Sequence, residues 1–246
     1  MLIIVFVAGF AALLYLGSST AKGARGEARV RATLTKALDQ STYHILNDVT
    51  LPAQAGTTQI DHIVVSRYGI FVIETKNMAG WIYGDEDQSQ WTQVLRRYKA
   101  RFQNPLRQNY KHIKAVQGLL DLRSAPLHNL VVFVGSATPK TAMPETVFWR
   151  RKPLTTYITS MNEVMFTDAE VRNFTQRLKD ATVPTNRQTR RDHNGHLKAQ
   201  AAAKQNDPAK CPRCAAKLVS RANAKTGEKF LGCSRYPHCR GTRKLA

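Results

Sequence analysis

An α/β sandwich, preceded by an apolar helix and followed by a small zinc ribbon, is the architecture this sequence predicts. Three observations lead to it. Helical and strand-like patterns run in the order α-β-β-β-α-β-α, an uninterrupted apolar stretch comes before them, and all four cysteines lie at or beyond Cys211.

The apolar stretch is Leu2 to Leu16, LIIVFVAGFAALLYL, whose strongest polar group is the hydroxyl of Tyr15. With Gly17 to Thr20 extending it, a helix here reaches the ~30 Å hydrocarbon thickness of a bilayer. A cleaved signal peptide is the rival, but no Lys or Arg precedes the run. A buried core helix is the weaker third reading, because the run has no polar face. Lys22, Arg25, Arg29 and Arg31 follow at once. The positive-inside rule then places the remainder in the cytoplasm, with residues 1–20 as a single-pass anchor in a bacterial inner membrane.

From Gly23 to Gln40, the positions of Ala28, Val30, Leu34, Ala37 and Leu38 form an apolar helical stripe. Three strand-like runs follow, Tyr43–Leu51, Gln59–Ser66 and Gly69–Lys76, the last two joined by a tight turn at residues 67–69. A hairpin is expected over Trp81–Arg97. Asn104-Pro105 then opens a helix through Leu122, with Pro105 in its first turn. Asn129–Gly135, NLVVFVG, reads as a strand covered on both faces, and Asp168–Lys179 as a closing helix. This places one domain over residues 23–180.

The chain carries 37 Lys and Arg against 17 acids, a formal charge of +20, which points to an anionic partner. From Ala181 onward fifteen basic residues face three acids (Asp192, Asp207, Glu228), so +12 of that excess lies in the tail. Residues 181–209 are polar, basic and poor in large apolar side chains, and read as a flexible linker. The absence of cysteine before Cys211 is not the pattern of a disulfide-stapled secreted domain.

Within the first domain, Asp61 lies in QIDHIVV and Glu74 with Lys76 in FVIETKN, on strands that a short hairpin sets side by side. Strand alternation puts Glu74 and Lys76 on one face and Thr75 on the other. Charges on a strand this apolar must pair or hold a metal. Two carboxylates suit a hard cation such as Mg²⁺, and a neighbouring ammonium can orient an attacking water. The competing reading is a solvated strand face around a structural Asp61, since a bare E-x-K is weak evidence. His62 and His112 are read as structural or phosphate-contacting residues, and Trp81 and Trp91 as packing residues rather than base-stacking platforms.

The segments GARGEARV, TTQIDHIVVSRYGIFVIETKNMAGWIYG and FQNPLRQNYKHI, in that order, resemble the nuclease-related domain, NERD, over about Gly23–Leu120. That family belongs to the restriction-endonuclease-like superfamily. The resemblance implies that fold, with Asp61 and Glu74 binding Mg²⁺, Lys76 positioning water, Glu27 supplementing the metal shell and Gln108 a further polar site residue. It does not establish turnover.

Cys211-Pro-Arg-Cys214 is a C-x₂-C knuckle; after eighteen intervening residues Cys233 and Cys239 follow as C-x₅-C, enough for one tetrahedral Zn²⁺ site over residues 210–246. So small a domain lacks the core to fold unaided, and disulfides are the alternative in a non-reducing setting. His238 is a lesser candidate ligand. Lys217, Arg221, Lys229, Arg235 and Arg240, interleaved with Phe230 and Tyr236, combine phosphate-binding cations with rings that can stack on bases. The segment through FLGCSRYPHC resembles the four-cysteine zinc fingers of bacterial type I topoisomerases, which implies DNA binding, single strands included.

The function expected is therefore a membrane-anchored, Mg²⁺-dependent DNA nuclease with a DNA-binding zinc ribbon. An inactive protein that tethers DNA at the membrane is the alternative; a lipid-binding surface module is a third, which leaves the cysteine spacing unexplained.

Overall fold

The computed structural model describes residues 21–53, 56–122, 127–183, 209–212, 216–223, 226–237 and 239–244. The expected membrane helix over residues 1–20, most of the expected linker, Cys214 and His238 lie outside them. Among the described residues no helix is long and apolar enough to cross a membrane. The chain divides into two units, Met1–Pro184 and Thr185–Ala246.

In the first unit, residues 21–37 are helical (α1), and Val30, Leu34 and Leu38, four residues apart, are buried. Strands β1 (His44–Ala53), β2 (Gly56–Ser66) and β3 (Gly69–Lys76) form the expected antiparallel meander. Helix α2 (Pro105–Leu120) then carries the chain back, so that β7 (Leu127–Phe133) lies parallel to β3. A two-residue β9 (Val147–Phe148) completes the order β1-β2-β3-β7-β9.

Both faces of this sheet are covered. Ile70 and Val72 pack with Ile113 and Val116 of α2 and with Val171 and Phe174 of α4 (Asp168–Asp180). Phe71, Ile73, Leu130 and Val132 pack on the other side with α1 and with α3 (Arg151–Ser160). Alternation along a strand buried on both faces explains the near-continuous apolar runs. Helix α4 begins at a capping box, in which the Thr167 side chain accepts from Glu170 N–H and the Glu170 carboxylate accepts from Thr167 N–H.

Two parts of the expected element order are corrected. The hairpin at Trp81–Arg97 belongs to a second, four-stranded sheet: β4 (Gly80–Tyr83), β5 (Gln90–Leu95), β6 (Tyr98–Gln103) and β8 (Ala137–Pro139), in the order β6-β5-β4-β8. A turn at Arg96, in the left-handed region at φ 54°, makes β6 a separate strand. Helix α3 went unpredicted because its signals are poor. It has no side-chain cap and contains Pro153, Thr155, Thr156 and Ile158.

The second sheet prolongs the first. Lys76 faces Phe133 in the β3–β7 pair and Gly80 faces Ala137 in the β4–β8 pair, so both parallel pairs keep the same 57-residue offset across a short break. At the break, a Cβ on Gly135 would collide with the Met78 carbonyl, so only glycine fits there. Ile82, Trp91 and Phe133 then form a third core with Leu106 of α2.

In the second unit, β10 (Leu218–Ala222), β11 (Lys229–Cys233) and β12 (Thr242–Lys244) make an antiparallel three-stranded sheet. Its buried centre is Cys211, Leu218 and Cys233.

Candidate active site and zinc centre

The β2–β3 ladder ends at His62–Ile73. One residue beyond, Asp61 takes over with its side chain: Oδ2 accepts the Thr75 backbone N–H at 2.7 Å. The β1–β2 ladder skips the same place, opposite Asp48, whose φ of 54° lies in the left-handed region that Asp tolerates better than most residues. Both strands bend here, which is why Ile60 and Ile63, of opposite parity, reach the same core. The bend opens the sheet at the carboxyl end of β3, where parallel α/β sheets place ligands.

Past that opening, Glu74 and Lys76 point to the α2 side. Lys76 Nζ donates to Glu74 Oε1 at 2.6 Å and to Gln108 Oε1 at 2.9 Å, and Gln108 Nε2 donates to Glu74 Oε1 at 2.8 Å. Three side chains from β3 and α2 thus close a ring. Glu74 is almost wholly buried, and its other oxygen lies 3.3 Å from His112 Nε2, off the axis of a good hydrogen bond. His112 Nδ1 is held by Thr58 at 2.6 Å.

The helix is anchored so that Gln108 arrives in register. Asn104, fully buried, caps α2 through Oδ1 to Leu106 N–H, while its amide nitrogen reaches the carbonyls of Asp85, Glu86 and Gln88. Asn109 Nδ2 reaches the carbonyl oxygens of Val72 and Leu130 on the sheet. Gly26 lets α1 approach the end of β3, where Asn77 donates to Lys22 O at 2.6 Å. Glu27, one residue on, acts on Asp61 electrostatically.

The charges are unbalanced in an informative way. Burial and then the charge of Glu74 push the Asp61 carboxyl well above the ordinary carboxylate range; Glu27 adds to this, and the Thr75 N–H and Lys76 oppose it. For Glu74 burial acts upward, but His112 and Lys76 outweigh it and hold its carboxyl below the usual value. One carboxylate is satisfied and its neighbour lacks positive charge. The donors are hard oxygens, suited to a hard divalent cation rather than a soft metal.

Sequence reasoning named Asp61, Glu74, Lys76 and Gln108, and these come together, with Glu27 within electrostatic range of Asp61. His112, read as structural or phosphate-contacting, stands against Glu74. The available signal was spacing: His112 lies four residues after Gln108, one helical turn along the same face. His62 lies apart from the ring. Its imidazole, bound to Asn47 Oδ1 at 2.7 Å, is pushed down to about 4 by burial, with Arg31 adding to the effect.

In the second unit the Sγ atoms of Cys211, Cys233 and Cys239 all lie within 4.8 Å of one another. Cys211 and Cys239 are 3.8 Å apart, far beyond disulfide length and equal to the ~3.8 Å edge of a tetrahedron with Zn–S bonds of about 2.3 Å. Cys233 Sγ also accepts the Arg235 N–H at 3.4 Å, the kind of contact that orients a metal-bound sulfur. The three sulfurs fit structural zinc; Cys214 lies outside the described residues. Around them Lys217, Lys229, Arg235 and Arg240 are exposed, Phe230 is half-buried opposite Arg221, and the Arg221 guanidinium lies 5.3 Å from the centre of the exposed Tyr236 ring.

Residues 22–134 match the nuclease-related domain family, and residues 209–246 match the topoisomerase DNA-binding C4 zinc finger family. The chain is 52% identical over 101 residues to an uncharacterized protein of Bacillus anthracis, a match covering 41% of this chain and 47% of that one. It is 48% identical over 33 residues to DNA topoisomerase 1 of Pyrococcus furiosus, covering 13% of this chain and 3% of that one. The chain thus spans about half of the first relative and a small part of the second. No solved structure matches it. A nuclease-related domain and a topoisomerase-type four-cysteine zinc finger are both found in this chain.

Proposed function

We propose that the protein is a Mg²⁺-dependent nuclease that hydrolyses phosphodiester bonds in DNA, with its zinc ribbon as the DNA-capturing module. The observation that carries the reading is the Lys76–Glu74–Gln108 ring set beside the charge-deficient carboxylate of Asp61.

Asp61 and Glu74 would hold the cation, with Glu27 reinforcing its shell from α1. The bound cation would supply Lewis-acid polarisation and neutralise charge on the scissile phosphate. Lys76, fixed by two acceptors, would orient the attacking water with its ammonium. Gln108 keeps Lys76 and Glu74 in one arrangement, so little reorganisation accompanies the reaction. The DNA-binding finger raises the local concentration of substrate at this site. Residues 1–20, outside the described residues, are read as the anchor that holds these activities at a bacterial cytoplasmic membrane.

The test is cleavage of labelled single- and double-stranded DNA with Mg²⁺ or with EDTA, beside Asp61→Ala and Lys76→Ala proteins. Metal-dependent cutting lost in both variants is expected. Binding without cutting in every sample would replace the nuclease with a DNA-tethering protein.

A further inference from the structure

The outer face of the second sheet is unlike the rest of the surface. Residues directly opposite one another on neighbouring strands share a face, so the pairings Trp81–Val94–Lys99 and Tyr83–Thr92–Arg101 make two parallel rows. The inner rows, Ile82–Gln93 and Trp91–Phe102, point to the third core. Outward, Trp81 is 50% exposed, and Lys99 and Arg101 are exposed, while Trp91 on the inner side is fully buried. The expectation that both tryptophans serve packing therefore holds for Trp91 and fails for Trp81.

Exposing half an indole forgoes apolar burial. What meets the indole is a cation: Lys140, beyond β8, sets Nζ 4.7 Å from the centre of the Trp81 ring. Trp81 and Tyr83 lie about 7 Å apart along one strand, and Lys99 about 10 Å across two strands from Trp81. No acidic residue occupies either row. Rings facing outward, bordered by Lys99, Arg101 and Lys140, make the combination that binds unpaired bases: stacking for the base and cations for its phosphate. A duplex hides its base faces, so it could use the cations but not the rings. A contact between an exposed ammonium and a ring is weaker than base stacking, so Lys140 can yield to a base and move to a phosphate.

We propose that the outer face of the β4–β5–β6–β8 sheet is a binding platform for single-stranded nucleic acid, with Trp81 and Tyr83 stacking on bases and Lys99, Arg101 and Lys140 holding the backbone. This inference rests on the reading of the domain as one that acts on nucleic acid. Trp81 follows Lys76 by five residues, so the Trp81 end of the platform begins at most about 18 Å along the backbone from the candidate active site. A strand seated there would be delivered single-stranded to the ring of Lys76, Glu74 and Gln108.

The experiment is photocrosslinking of the full-length protein to an oligothymidylate carrying 5-bromodeoxyuridine, with the crosslinked peptide mapped, in Mg²⁺-free buffer without chelator, which prevents cutting and leaves the zinc ribbon loaded. A crosslink within residues 80–103 is expected, undiminished in Asp61→Ala. Trp81→Ala should weaken single-strand binding about 5-fold or more and Trp81→Phe should recover most of it, with duplex binding unchanged. The double variant Lys99→Glu, Arg101→Glu should lower the salt dependence of single-strand binding by about two phosphate contacts. Crosslinks confined to residues 209–244, or equal losses for single strand and duplex, would overturn the platform. A crosslink at Trp81 in a protein that cuts nothing would remove the nuclease reading and leave the platform standing; cutting without that crosslink would do the reverse.

Discussion

The Asp61 carboxylate accepts the Thr75 backbone N–H at 2.7 Å, in the place where the β2–β3 ladder would otherwise have continued. One interaction thereby opens the sheet and fixes an acidic group at the opening. Its carboxyl is raised by burial and by Glu74, so the folded state favours the protonated acid. For such a group, stability is full below the unfolded value near 3.8 and is lost as pH rises through the folded value.

Asp61→Asn keeps the acceptor for Thr75 and removes the misplaced charge. It should raise the melting temperature at pH 7 in metal-free buffer, by about 2–4 °C per kcal/mol gained, while abolishing cleavage. Scanning calorimetry of both proteins with and without Mg²⁺ checks this: the cation should stabilise the wild type and leave the variant unmoved.

His62 gives the opposite pH dependence. Its imidazole is held neutral, with a folded value of about 4 against 6.5 when unfolded, so between those values the unfolded chain binds more protons. Stability should therefore fall as pH drops from 6.5 to 4, by about 3 kcal/mol in all. Urea titrations across that window should show the loss in the wild type and a flatter profile in His62→Gln.

Asn104 predicts an unequal pair of substitutions. Its amide nitrogen faces three carbonyl oxygens from the β4–β5 turn, and its oxygen caps α2. Asn104→Asp, conservative in shape, would turn a donor toward those carbonyls into an acceptor. Both Asn104→Asp and Asn104→Ala should cost about 2–4 kcal/mol in chemical denaturation, and Asp should not outperform Ala.

Removing zinc should unfold the second unit alone. Chelation, or Cys239→Ser, should speed amide exchange in peptides from residues 209–244 and leave β1–β3 protected, because among the described residues the small sheet buries no more than Cys211, Leu218 and Cys233 as its core. Mass-spectrometric exchange on the full chain reads both units at once.

The elements legible beforehand were those whose signal is local. Alternation in QIDHIVV and FVIETKN shows the meander, NLVVFVG the doubly covered strand, Asn104-Pro105 the start of α2, and C-x₂-C with C-x₅-C the metal cluster. Glu74 and Lys76 share a face because two residues separate them on a strand, a fact of covalent geometry.

What tertiary structure alone decided depends on pairing between distant segments. Gln108 meets Lys76 across 32 residues and His112 meets Thr58 across 54, and neither distance leaves a period in the chain. The second sheet forms because β8 arrives parallel to β4, in the register that β7 and β3 had already established. That arrangement buries Trp91 and leaves Trp81 half exposed, although the two indoles look alike in sequence. Local patterns follow from backbone geometry, whereas the fate of a side chain follows from what the rest of the chain packs against it.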